Sequence, residues 1–175
     1  MPVNGNPPLA DDEFTLDIDA IVTGSQPAKP EPGRPAPSFG TPVATPTGFA
    51  GSFVWPLAGR VVSRFGSQGG GRVNDGLNIA APLGTGVTSA GDGVVVYSGN
   101  EISVFGGLVM VDHGDGWITA YGHLGQLNVA RGDKVRRGQA LGSVGDTGYV
   151  DTPQLHFEIR KDRKPVDPLT KLPVR

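Results

Sequence analysis

The sequence predicts an all-β domain behind a proline-rich tail, and three observations carry that expectation. From Gly51 onward, short apolar runs are closed by glycine-containing turns. The runs favour β-branched and aromatic residues, and no stretch sustains the apolar period of an amphipathic helix. Composition also changes near residue 50: seven prolines fall between Pro27 and Pro46, whereas the glycines crowd the region after Gly48.

The expected strands are Arg60–Phe65, Gly93–Tyr97, Leu108–Asp112, Trp117–His123, Gln139–Val144 and Gln154–Arg160. Val94-Val95-Val96 and Leu108-Val109-Met110-Val111 have the bulk a pleated, buried surface favours. His113-Gly114-Asp115-Gly116, set between two such runs, signals a tight hairpin. Side chains alternate along a strand, so Leu155, Phe157 and Ile159 face the core and Gln154, His156 and Glu158 share the other face. The same rule groups Trp117, Thr119, Tyr121 and His123 opposite Ile118 and Ala120. If these two strands are neighbours, His123 and His156 line one groove. Gly76, Gly84 and Gly148 read as turn residues permitting positive φ, and Gly69-Gly70-Gly71 as a flexible loop beside the groove.

The domain is expected over 51–175. Residues 1–50 read as a disordered Pro-rich tail, with Pro27 to Pro46 a semi-rigid extended spacer. Phe14, Leu16 and Ile18 alternate with acidic residues at strand period, which admits a short docking strand around Phe14 to Val22. A net charge of −2 offers no dense basic field for nucleic acid or an anionic membrane surface. With no cysteine there are neither disulfides nor thiolate metal sites. No apolar run approaches the roughly 20 residues that span a bilayer, and no secretory leader follows Met1. The chain is therefore expected to be intracellular, or the C-terminal piece of a longer, exported protein.

Six segments then follow one another in a familiar order: Asn74-Asp75-Gly76-Leu77-Asn78, Asp92-Gly93-Val94-Val95-Val96, Ala120-Tyr121-Gly122-His123-Leu124, Val135-Arg136-Arg137-Gly138-Gln139, Gly145-Asp146-Thr147-Gly148 and Leu155-His156-Phe157-Glu158. Together they resemble the lysostaphin-type (LytM) metallopeptidase domain over roughly residues 55 to 173. That family folds as an antiparallel β domain with an open groove over a zinc ion and cuts peptide cross-bridges in peptidoglycan.

What the resemblance implies for the site is a loss. In active members a His-x-x-x-Asp motif and the last His of His-x-His hold the metal; a further His and the first His of His-x-His assist the attacking water. Carried over by position, the first pair falls on Asn74 and Asn78 and the His-x-His on Gln154-Leu155-His156. Only His123 and His156 stand as in an active enzyme. A catalytic zinc needs three protein ligands and an open fourth position, and a neutral amide replaces neither imidazole nor carboxylate. Gln154 takes up no proton, so it fails as a general base. No metal, cofactor or catalytic residue is therefore expected. A slipped ligand set from Asp75, Asp112 and His113 is the remaining route to an active zinc endopeptidase.

Degenerate domains of this kind, the NlpD, EnvC and DipM type, activate peptidoglycan amidases during cell division. Val73 to Ile79 and Thr152 to Glu158 look most like the last of these. The resemblance thus implies a non-catalytic regulator in the periplasm or cell envelope. Its empty groove, lined by Asn74, Asn78, His123, Gln154 and His156, would grip an amidase with help from Arg72, Trp117, Tyr121 and Tyr149. A peptidoglycan-binding module without activator role is the alternative. Biotinyl and lipoyl carriers share the Gly-x-x-Val-x-x-Gly-Gln spacing at Gly132–Gln139, but no carrier Lys follows.

Overall fold

The structure is a computed structural model in which Ala44, Pro46, Gly48, Phe49 and residues 52–175 are described. The expectations for the proline-rich spacer before Ala44, and for a docking strand around Phe14, lie outside these residues.

Among the described residues, twelve strands build the domain: β1 Arg60–Ser63, β2 Gly66–Gly69, β3 Arg72–Asn74, β4 Leu77–Ala80, β5 Gly86–Thr88, β6 Gly93–Gly99, β7 Gly107–Gly114, β8 Trp117–Leu127, β9 Lys134–Val135, β10 Ala140–Val144, β11 Gln154–Lys161 and β12 Lys164–Val166. A single 3-10 turn, Pro168–Thr170, follows them. Ten strands join in one sheet of order β1-β4-β11-β8-β7-β6-β9, in which β10 pairs with β8 and β5, and β12 with β11. All of the pairings are antiparallel. β2 and β3 form a separate hairpin. The all-β expectation holds, and each of the six expected strands is present.

The strands missed by sequence are the short ones. β2 and β3 are Gly- and polar-rich, and the Gly69-Gly70-Gly71 stretch expected to be a flexible loop is their turn, with φ of 84°, 62° and 78°. No side chain but glycine's enters that region cheaply three times in succession. The expected hairpin between β7 and β8 turns on Asp115 and Gly116, both at positive φ (53° and 80°). That double left-handed turn matches the twist of the flanking strands.

Both faces of the central sheet are covered. Leu77, Ile79, Tyr121, Leu155, Phe157 and Ile159 belong to the main core, while Tyr97, Phe105, Leu108, Met110, Ile118 and Ala120 form a second cluster. β7 is therefore apolar at consecutive positions, as a strand buried on both faces must be. Gly84 and Gly148 take positive φ as expected, but Gly76 does not. Its role is close approach: a Cβ there would drive into the Phe157 carbonyl oxygen. Phe49, on the tail side of the expected boundary, packs against Phe53 with ring centroids 4.6 Å apart and against Trp117 at 5.3 Å. Its N–H donates to Asp115 Oδ2 at 3.1 Å.

Candidate functional site

β4, β11 and β8 lie side by side, and their pairing register assembles the polar strip. His156 stands opposite Asn78 on one side and Gly122 on the other, and Gln154 opposite Ala80. The core set of β11, Leu155, Phe157 and Ile159, is fully buried, so Gln154, His156 and Glu158 share the opposite face as the alternation required.

His123 reaches this face by a different route from the one expected. Strict alternation groups it with Tyr121, which lies on the main-core side. The register between β7 and β8 slips by one residue between Val109↔Tyr121 and Gly107↔Leu124. Within that bulge His123 takes φ 63°, a left-handed conformation that costs on the order of 1 kcal/mol for a non-glycine residue. The bulge turns its ring toward His156, with centroids 6.0 Å apart, and Phe105 packs on His156 at 5.3 Å.

Three carboxamides form a continuous hydrogen-bonded ladder. Asn74 Oδ1 accepts from the Gly76 N–H at 3.0 Å, which leaves Asn74 Nδ2 to donate to Asn78 Oδ1 at 2.9 Å and to Ser63 Oγ at 2.8 Å. Asn78 Nδ2 donates to Gln154 Oε1 at 2.8 Å, and Gln154 Nε2 donates to Thr152 O at 3.3 Å. A backbone donor at one end and a backbone acceptor at the other fix every amide's orientation between them. Asn78 therefore presents its oxygen to His156 Nδ1 at 3.1 Å.

His156 is held equally firmly on its other side. Its Nε2 lies 2.8 Å from Glu158 Oε1, and Glu158 Oε2 accepts from Arg160 Nε at 2.8 Å. Both ring nitrogens of His156 thus face oxygen atoms of neighbouring side chains. Glu158 is fully buried. Burial alone would raise its pKa, but the hydrogen bond and charge of His156, together with Arg160, outweigh burial and hold it below the ordinary carboxylate value. Arg160 is also buried, and its Nη2, without a hydrogen-bond partner, lies 3.7 Å from Asp75 Oδ2.

These residues do not fit a catalytic zinc. The amide groups satisfy one another, the one imidazole at a ligand position is engaged at both nitrogens, and no carboxylate stands where the dication's charge needs compensation. The slipped ligand set is not assembled either: Asp75 faces Arg160, Asp112 Oδ1 accepts from the Gly114 N–H, and His113 is buried elsewhere. Among the described residues, no three His, Cys, Asp or Glu side chains come together as a potential metal site.

The expected partner-binding residues divide. Arg72 is exposed on β3, two residues from Asn74. Tyr149 is 65% exposed, and its N–H donates to Val104 O at 3.0 Å beside Phe105. Tyr121 is not available to a partner: it is fully buried, and its hydroxyl accepts from the Ala90 N–H at 2.9 Å and meets Thr119 Oγ1 at 2.8 Å. The same Thr119 hydroxyl lies 2.8 Å from His113 Nε2, whose Nδ1 donates to Asp92 O at 2.7 Å. Internal satisfaction lets the phenol sit in the core. Trp117 is half-buried at the far end of β8, opposite Lys161 and against Phe49 and Phe53, away from the carboxamide ladder. Sequence reasoning missed Arg160 and the ladder's ends at Ser63 and Thr152. The available signal was His156-x-Glu158-x-Arg160, three polar residues at strand period in an otherwise apolar run.

His123 gives the domain a pH dependence. Burial, reinforced by the neighbouring charge of His156, lowers its pKa from 6.5 to about 4. Its Nδ1 donates to Thr147 O at 2.8 Å. The unfolded chain takes up this proton near pH 6.5 and the native state resists until about 4, so the contribution is complete above 6.5 and lost as pH falls toward 4. At most on the order of 3 kcal/mol disappears over that window. His113, lowered by burial, acts in the same direction. Thermal unfolding followed at pH 7.5 and pH 5 should show this loss, and His123→Asn, suited to positive φ, should reduce it.

The sequence profile of peptidase family M23 matches residues 72–168. The chain belongs to that family. The chain is 54% identical over 129 residues to the cell division protein DipM of Caulobacter vibrioides, covering 70% of this chain and 21% of that protein. It is 35% identical over 158 residues to the murein hydrolase activator NlpD of Salmonella dublin, covering 90% and 39%. The chain thus spans well under half the length of these relatives. Among solved structures it resembles the antimicrobial peptidase lysostaphin from Staphylococcus simulans, with TM-score 0.59 and 27% identity over 64% of this chain and 48% of that one. The fold is therefore the lysostaphin-like one. Among the described residues, no helix is long and apolar enough to cross a membrane.

Proposed function

We propose that this M23 domain is a non-catalytic regulator that activates peptidoglycan (N-acetylmuramoyl-L-alanine) amidases in the bacterial cell envelope during wall remodelling and division. The carboxamide ladder Asn74–Asn78–Gln154 carries the reading, because it fills the catalytic positions of the family with groups that neither hold a dication nor accept a proton. A relative named as a murein hydrolase activator and another named as a cell division protein support it. The strip, with Tyr149 and Arg72 at its margins, offers amide and aromatic groups suited to a peptide segment. A segment bound there favours the open state of the amidase by its differential affinity for that state.

Release of dye-labelled fragments from purified peptidoglycan tests the proposal. The chain alone is expected to release nothing, and to stimulate at least one envelope amidase. The double variant Asn78→Arg/Gln154→Arg should lower stimulation about tenfold, equivalent to about 1.4 kcal/mol of lost binding, with its melting transition confirming that it folds. Cleavage by the chain alone, or full stimulation by the folded variant, would overturn the proposal.

A further inference from the structure

The ladder spends its donors on itself, and that decides what a partner must bring. Asn74 Nδ2 donates to Ser63 Oγ and Asn78 Oδ1, Asn78 Nδ2 donates to Gln154 Oε1, and Gln154 Nε2 serves the Thr152 carbonyl and hydroxyl at 3.3 and 3.1 Å. Both ring nitrogens of His156 are engaged as well. What the strip leaves open is acceptor capacity. Asn74 Oδ1 and Gln154 Oε1 each take one of the two bonds that an amide oxygen can accept.

His123 sharpens this selectivity. Its backbone N–H donates to Phe105 O at 2.8 Å and its carbonyl accepts from the Gly145 N–H at 3.0 Å, so the positive-φ bulge holds the ring in place. Nδ1 faces the Thr147 carbonyl at 2.8 Å. A carbonyl oxygen only accepts, so Nδ1 carries the proton of the neutral ring and Nε2 is left with a bare lone pair. Burial keeps the ring neutral at pH 7 by lowering its pKa to about 4. Nε2 meets no partner among the described residues, yet it is not sealed in, because the only buried side-chain nitrogen or oxygen without a partner there is Arg160 Nη2. The lone pair therefore opens to solvent beside His156, whose ring centroid is 6.0 Å away, and Phe105, at 6.4 Å.

We infer that His123 Nε2 is the acceptor that reads an uncharged N–H or O–H donor on the partner's segment. This deepens the activator reading and rests on it. A carboxylate at this point would set its oxygens against a lone pair with no proton between them. A cation would be desolvated without compensation, because Glu158 is already shared by His156 and Arg160. A backbone amide, a carboxamide or a hydroxyl satisfies the nitrogen without either penalty.

Diethyl pyrocarbonate tests the assignment, since an imidazole nitrogen attacks it only through a free lone pair. Nε2 bonds to one of the reagent's carbonyl carbons, the bond from that carbon to the bridging oxygen breaks, and the departing ethyl carbonate takes the ring proton and decays to ethanol and carbon dioxide. Of the 3 histidines, His113 and His156 have both nitrogens engaged, so peptide mass spectrometry at pH 7 should find His123 carbethoxylated first. The labelled chain, freed of reagent and shown by its melting transition to be folded, should need about tenfold more protein for half-maximal stimulation of its amidase, the weight of one donor left unsatisfied at about 1.4 kcal/mol. His123→Asn, which tolerates the positive φ but lacks Nε2, should show the same loss. Hydroxylamine, which lifts the carbethoxy group off imidazole, should restore the labelled chain, and bound amidase should shield His123 from the reagent. Labelling of His156 or His113 ahead of His123 would overturn the inference, as would full stimulation by the labelled chain or by His123→Asn, or unchanged labelling in the complex. Those results leave the activator reading standing, whereas a chain that stimulates no amidase removes both.

Discussion

Glu158→Ala is expected to cost about 3–5 kcal/mol of folding free energy, the loss typical of removing one partner from a buried charge network. The carboxylate is fully buried between His156 and Arg160, both at 2.8 Å. Without it, the buried Arg160 guanidinium loses its carboxylate and the His156 ring loses its shared acceptor in a region that excludes water. A domain of this size has a total stability of about 5–15 kcal/mol, so the variant should unfold at much lower urea concentration with an unchanged denaturant slope. Glu158→Gln keeps shape and an acceptor and should lose less. The double variant Glu158→Leu/Arg160→Met should recover much of the loss, because two buried charges vanish together. Equal stability of Glu158→Ala and wild type would show that the network is not the support described.

The second large effect concerns metal. Asn74→His, Asn78→Asp and Gln154→His together should give a protein that retains close to one equivalent of zinc after dialysis, against none for the wild type. The expectation rests on what the site has kept. Histidine ligands of metals donate their second nitrogen to a carboxylate or carbonyl, and His156, at the ligand position, already has its Nε2 on Glu158, while His123, at the water-assisting position, is held by Thr147 O. The outer support of a metal centre thus survives around a ladder of amides that has displaced its ligands. Elemental analysis decides the point: bound zinc in the wild type, or none in the triple variant, would contradict this account of the donor set.

Much of this was legible in the residues. β6 and β7 announced themselves through consecutive apolar, β-branched runs, as strands buried on both faces do, and β8 and β11 through apolar residues alternating with polar ones. β2, β3 and β5 did not, since three or four residues rich in glycine and polar groups carry no period. Asn74, Asn78, Gln154, His123 and His156 were placed together by family order. Alternation alone would have set His123 on the wrong side, because one residue at positive φ resets the count. Tyr121 was misassigned for a related reason: a phenol that finds partners in Ala90 and Thr119 has no need of solvent. Trp117 was assigned to the groove from strand face alone, which says nothing of which end of an 11-residue strand a side chain occupies. The burial of Glu158 and Arg160 was the least legible feature, since charged residues are almost never fully buried unless paired, and the pairing is set by the fold.

The positions of the two tryptophans decide what optical spectroscopy can see. Trp55 lies under the Arg175 guanidinium, 3.7 Å from its ring centroid, with its indole N–H on Pro173 O at 2.8 Å. Trp117 is packed with Phe49 and Phe53 and flanked by Lys161 and Lys171, each 5.5 Å from the ring. Neither indole borders the amide ladder. Intrinsic emission therefore reports on the packing of Phe49 and of the C-terminal residues Pro173 and Arg175, and a ligand seated on the ladder alone should leave the spectrum silent.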